Sequence, residues 1–70
     1  MQQISSMSQL GDLIRQTRKA QKLTQIQLAQ VSGVGANFIR DVEHGKATCQ
    51  VGKVIQLAHM LGLKIMLDKR

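Results

Sequence analysis

The 70-residue chain has no proline, no tryptophan and no tyrosine, a single phenylalanine (Phe38) and a single cysteine (Cys49). Each shortage removes a class of protein. Without aromatics there is no platform on which single-stranded bases could stack, and the composition of a β-sandwich is missing. A lone cysteine closes no intrachain disulfide and has no CxxC neighbour, so Cys49 reads as a small, buried or half-buried side chain. His44 and His59 stand 15 residues apart with no third ligand nearby, so no metal is expected. No paired carboxylates, nucleophile–base set or phosphate-cradling glycine loop appears, which argues against an enzyme and gives no reason to expect a cofactor. No apolar run approaches the ~20 residues of a membrane span, and no basic segment leads into an apolar run at the N-terminus. No membrane partner is expected, and the cytoplasm is the expected compartment.

What is present is positive charge. Ten Lys or Arg against four Asp or Glu give a formal net charge of +6 and a pI near 10.3, a balance suited to an acidic polymer. Seventy residues make one small domain with a marginal core, so pairing of two chains is a reasonable way to bury more surface. Nucleic acid is the expected acidic partner.

The most informative stretch is residues 24–44. Thr24 with Gln27 forms a capping box, which predicts a helix from Gln25. Ile26, Leu28 and Ala29 supply its apolar face, with Ala29 small enough for close helix approach. Gly33 stands where the helix must stop, in a conformation that favours glycine. A second helix is predicted from about Ala36 to His44, with Ile39 and Val42 one turn apart on its inner side. This spacing of small residue, turn and core anchor is that of a helix-turn-helix. At 100° per residue, Gly35, Val42 and Glu43 fall towards the core, Asn37, Asp41 and His44 point away, and Ala36, Phe38 and Arg40 lie on the flanks. An outer face of Asn, Arg and Asp beside a small Ala suits base reading, since Asn can bond adenine bidentately and Arg can reach guanine or phosphate. An ordinary solvated surface is the plainer alternative; the preceding turn favours readout. Glu43 on the inner face needs a cation, and Arg18 is the best-placed candidate for a structural ion pair.

Before this unit, Ser8 is expected to cap a helix from about Gln9 to Gln21, with Leu10, Leu13, Ile14 and Thr17 as its buried stripe. Asp12 is assigned to its first turn and Arg15, Arg18, Lys19 and Lys22 to its second half, which suits the macrodipole at both ends. Gly11 inside it is a mild cost of roughly 1 kcal/mol. Arg15, Lys19 and Lys22 are either a solvated face or phosphate contacts. Lys46, Phe38 and His44 are the phosphate candidates beside the recognition face. After the loop Gly45–Gln50, Val51, Val54, Ile55, Ala58 and Leu61 predict a fourth helix over about 51–61, stopped at Gly62. Leu63, Ile65 and Leu67 then alternate with Lys64 and Met66, a strand pattern without an intrachain partner. Such an edge is expected to pair antiparallel with its mate in a homodimer, with the Ile4 arm beside it. The expected organisation is an N-terminal arm (1–8), a DNA-binding domain (9–62) and a dimerisation strand with tail (63–70). The fold class is all-α, a bundle of about four helices with that short C-terminal strand.

These residues resemble the Xre-type helix-turn-helix family of lambdoid phage repressors. The resemblance is carried by Leu23-Thr24-Gln25, Leu28-Ala29, Gly33-Val34, Ile39, Glu43, Gly45-Lys46 and Leu57-Ala58 with Leu61-Gly62, over roughly residues 9–63. It implies that Gln25 holds a phosphate, that Arg18 and Glu43 are the family's buried pair, and that Gly35, Ala36, Asn37, Arg40 and Asp41 lie at base edges. Positions 35 and 36, usually polar or cationic in the family, are Gly and Ala here, which moves readout onto Asn37, Arg40 and backbone amides. The ends, Gln3-Ile4-Ser5, Ser8-Gln9-Leu10 and the 63–67 strand, are similar to HipB-type antitoxins. That similarity implies a dimeric repressor of its own operon, reading an inverted repeat in double-stranded DNA and partnering a HipA-like kinase toxin. A repressor without a toxin, and a protein-interaction module that never touches DNA, are the other readings.

Overall fold

The computed structural model describes residues 6–46 and 50–64. Among these, four helices follow in order: α1 (Met7–Ala20), α2 (Gln25–Ser32), α3 (Ala36–Glu43) and α4 (Val51–Met60). The all-α helix-turn-helix bundle is as expected. Ile14, Leu28, Ile39, Val42 and Leu57 are its fully buried large side chains, drawn from all four helices, with Val34, Val54 and Leu61 completing the cluster. α3 packs against both α1 and α2, and α4 packs against α2.

Local chemistry sets the element ends. The capping box is complete: Gln27 N–H donates to Thr24 Oγ1 at 3.0 Å and Thr24 N–H to Gln27 Oε1 at 2.9 Å. α2 stops at Gly33, whose φ of 79° is left-handed. α1, α3 and α4 end alike, in Schellman turns. In α3, Gly45 N–H bonds Val42 O at 2.9 Å and Lys46 N–H bonds Asp41 O at 3.0 Å, which holds Lys46 beside the end of the helix. In α1 the left-handed position falls to Lys22, with φ of 60°.

Several expectations need correcting. α1 is capped by Ser6, whose hydroxyl accepts from Gln9 N–H at 3.2 Å, and it starts at Met7 rather than Gln9. Ser8 is therefore helical, and it lies beneath Gly45, where an added Cβ would come 2.9 Å from Ser8 Cα. Asp12 sits beyond the first turn and accepts from Gln16 Nε2 at 2.8 Å. Gly11 is not a tolerated defect: a Cβ there would run into the carbonyl of Val42, so its bare backbone lets α1 and α3 touch. Of the α1 stripe only Ile14 is fully buried; Leu10, Leu13 and Thr17 are half-buried. Ile26 is 64 % exposed, because two residues from Leu28 places it 200° round the helix. Gly35 is exposed as well, so the inner side of α3 is Ile39, Val42 and Glu43. Ile4, Ile65, Leu67 and Cys49 lie outside the described residues, as does the predicted strand beyond Lys64. Leu63 lies within them and packs on its own chain's core, its N–H bonded to Ala58 O at 2.9 Å.

Candidate nucleic-acid interface

The helix offered to solvent is anchored from below by a buried polar cluster. Arg18 Nε donates to Glu43 Oε2 at 2.7 Å and Nη2 to Oε1 at 3.1 Å, while Nη1 donates to Leu23 O at 2.7 Å. Glu43 Oε1 also accepts from Gln25 Nε2 at 3.1 Å. A bidentate guanidinium–carboxylate pair is the geometry in which burial of two charges is best compensated. The cluster ties the end of α1, the start of α2 and the end of α3 into one rigid corner. The Arg18–Glu43 pair is thus where sequence reasoning puts it. Gln25, expected at a phosphate, spends one amide N–H on Glu43.

Above that corner, the outer face of α3 is a chain of paired side chains. Asn37 and Arg40 are exposed and joined, Arg40 Nη2 donating to Asn37 Oδ1 at 3.2 Å. Asp41 is half-buried, and its Oδ2 lies 3.6 Å from Lys46 Nζ. Ala36 and Phe38 are half-buried flanks, while His44 is exposed at the C-cap. Gly35 caps the start of α3 without any side-chain hydrogen bond, leaving the first backbone N–H groups free of a side-chain partner. Arg15 and Lys19 share an exposed face of α1 as an i,i+4 pair, and no hydrogen bond or ion pair among the described residues joins them to the α3 set.

One cation near α3 is not among those the sequence pattern singles out. Lys53, in the first turn of α4, places Nζ 6.0 Å from the centre of the Phe38 ring, at the edge of cation–π range. A lysine there runs against the helix macrodipole, and that mismatch is its signal in the sequence. Among the described residues Glu43 is buried against Arg18 and Asp41 is paired with Lys46. The Asp41–Lys46 pair cancels, and the remaining exposed charge around α3 is cationic, from Arg40 and Lys53. Among the described residues no group of three metal-ligating side chains occurs, and none of their helices is long and apolar enough to cross a membrane.

The model of the helix-turn-helix domain family matches residues 9–66, most of the chain. The chain belongs to that family. It is also 48 % identical over 62 residues to an uncharacterised HTH-type transcriptional regulator, y4mF, of Sinorhizobium fredii (strain NBRC 101917 / NGR234), covering 89 % of this chain and 82 % of that one. Its fold is similar to that of HipB in the HipA–HipB–O2–O3 complex (TM-score 0.88, 23 % identity, 99 % of this chain and 97 % of that one). HipB in its complex with the O4 20mer is comparably similar (TM-score 0.87, 23 % identity, with the same two coverages). This helix-turn-helix protein is a DNA-binding transcriptional regulator, not an enzyme.

Proposed function

We propose that the regulator is a homodimeric repressor whose two α3 helices enter successive major grooves of an inverted repeat, about 34 Å apart. The observation that carries this reading is the exposure of Asn37 and Arg40 on a helix otherwise locked to the core through Glu43. In this reading Gly35, Ala36, Asn37, Arg40 and Asp41 lie at base edges. The phosphate contacts are Gln25, Phe38, His44 and Lys46, with Arg15 and Lys19 on α1, and Lys53 joins them. Gln25 keeps one N–H for a phosphate while the other stays on Glu43. Dimerisation falls to Ile4, Ile65 and Leu67, with Leu63 rooting the strand. The regulator further acts as the antitoxin of a HipA-like kinase and represses its own operon from the cytoplasm, a reading supported by the likeness in fold to HipB in the HipA–HipB–O2–O3 complex. A second reading, a repressor without a toxin, is supported by the 48 % identity to a relative known only as a transcriptional regulator.

Gel-shift on the chain's own upstream duplex tests the first part. A shifted band that weakens steeply with added salt is expected, and an absent or salt-insensitive shift rejects it. The native mass of the complex purified from its own cells tests the second. Two copies of this chain with a kinase-sized partner support the antitoxin role; a bare dimer favours the stand-alone repressor.

A further inference from the structure

The two ends of α3 are held by different things. At its C-terminal end stand the Glu43–Arg18 pair, the close approach of Gly11 to the Val42 carbonyl and the packing of Gly45 on Ser8. The N-terminal end, where Ala36 and Asn37 lie, follows a turn that contains Gly33 and Gly35, and it carries no side-chain cap. Its apolar hold is Val34 and Ile39, both buried. A polar hold comes from α4. Gln56 Nε2 donates to Ser32 O at 2.7 Å, a carbonyl at the last residue of α2 that has no partner inside that helix. The same amide nitrogen lies 3.5 Å from where a Cβ on Gly33 would stand, so it sits against the turn itself. One turn earlier on α4, Lys53 faces the ring of Phe38, the neighbour of Asn37 in α3. Two side chains on one side of α4 therefore face the turn and the first half of α3.

We infer that Gln56 is a positioning residue for base readout: it ties the turn between α2 and α3 to α4 and so fixes where Asn37 stands at the base edges. This rests on the proposed entry of α3 into the major groove. Base edges are read by hydrogen bonds of about 3 Å with a narrow range of angles. The backbone that carries Asn37 has to be held as closely as the bond it makes. Phosphate attraction tolerates more movement, because it decays over a Debye length of about 10 Å. Loosening the turn therefore costs sequence discrimination and spares sequence-independent affinity. Gln56 is exposed and uncharged, so it belongs neither to the core nor to the charge that attracts a duplex.

The test compares Gln56→Met, similar in length but without a donor, with Gln56→Lys, which keeps one. The full chain is titrated with its own upstream duplex and with a scrambled duplex at one salt concentration, each variant alone and Gln56→Met also with Asn37→Ala. Water can replace the amide at this exposed position, so Gln56→Met should stay folded, with its thermal midpoint lowered by about 4–8 °C at most. The ratio of the two affinities should fall about tenfold in Gln56→Met, within the range that a lost base contact costs, through weaker binding of the upstream duplex alone. In Gln56→Lys the ratio should stay near that of wild type, because the added charge raises both affinities together. On top of Asn37→Ala, Gln56→Met should change the ratio little further, since both act on one contact. An unchanged ratio in Gln56→Met, or a full second loss on top of Asn37→Ala, overturns the inference and leaves groove entry standing. Unfolding of Gln56→Met at the assay temperature overturns it too, because the bond would then hold the fold rather than place one helix. If wild-type protein binds the two duplexes equally, groove entry fails and the inference falls with it.

Discussion

Glu43 is a carboxylate placed on the inner side of a helix whose outer side is offered to solvent. Three donors hold it: two guanidinium nitrogens of Arg18 and the Gln25 amide. Removing it strands Arg18 in a buried site. Glu43→Ala should therefore cost about 3–5 kcal/mol in denaturant unfolding, far more than loss of an exposed pair. The Asp41–Lys46 pair is the contrast, with both side chains about half exposed and little stability at stake. Lys46→Ala should leave the unfolding midpoint nearly unchanged. It should weaken binding to specific and scrambled duplexes alike and lower the salt slope by about one. A base-selective loss would mean that Lys46 reads sequence. Both roles depend on which side of α3 a residue faces, and the helical period alone fixes that side for Glu43, Val42 and Asn37.

At the scale of elements, the local signals are legible in the sequence and the tertiary ones are not. Thr24, Gln27 and Gly33 define α2 because a cap and a left-handed stop involve only neighbours in sequence. The start of α1 is ambiguous because Ser6 and Ser8 can both cap; Ser6 does so, and Ser8 lies inside the helix beneath Gly45, 37 positions away. Val34 shows the same limit, whereas the exposure of Ile26 follows from the helical period. Val34 lies in the turn and is nonetheless buried in the core cluster. In the candidate site, the face of α3 is legible, whereas the bonds along it and the approach of Lys53 to Phe38 are not, since they depend on rotamers and on the path of α4. Gly11 separates local from tertiary reasoning by sign. Helix propensity alone has Gly11→Ala stabilise α1 by about 1 kcal/mol. The contact with the Val42 carbonyl instead predicts a loss of about 1–3 kcal/mol, readable in a thermal melt. Lys22→Gly should go the other way, raising stability by about 1 kcal/mol, because a non-glycine residue at φ of 60° carries a left-handed backbone cost.

For the whole molecule, a buried polar corner carries α3 with Asn37 and Arg40 exposed, and in the proposed function α3 is the reading helix. The formal charge of +6 supplies attraction to any duplex, and that attraction alone carries no sequence information. In the proposed function, discrimination comes from the few side chains at the tip of α3. Titration of wild-type protein and Asn37→Ala against the chain's own upstream duplex and a scrambled duplex, at one fixed salt concentration, separates sequence reading by α3 from charge attraction alone. Asn37→Ala should lose about 1–3 kcal/mol on the upstream duplex and almost nothing on the scrambled one. Equal losses on both, or wild-type protein that binds the two duplexes equally well, would contradict sequence reading by α3.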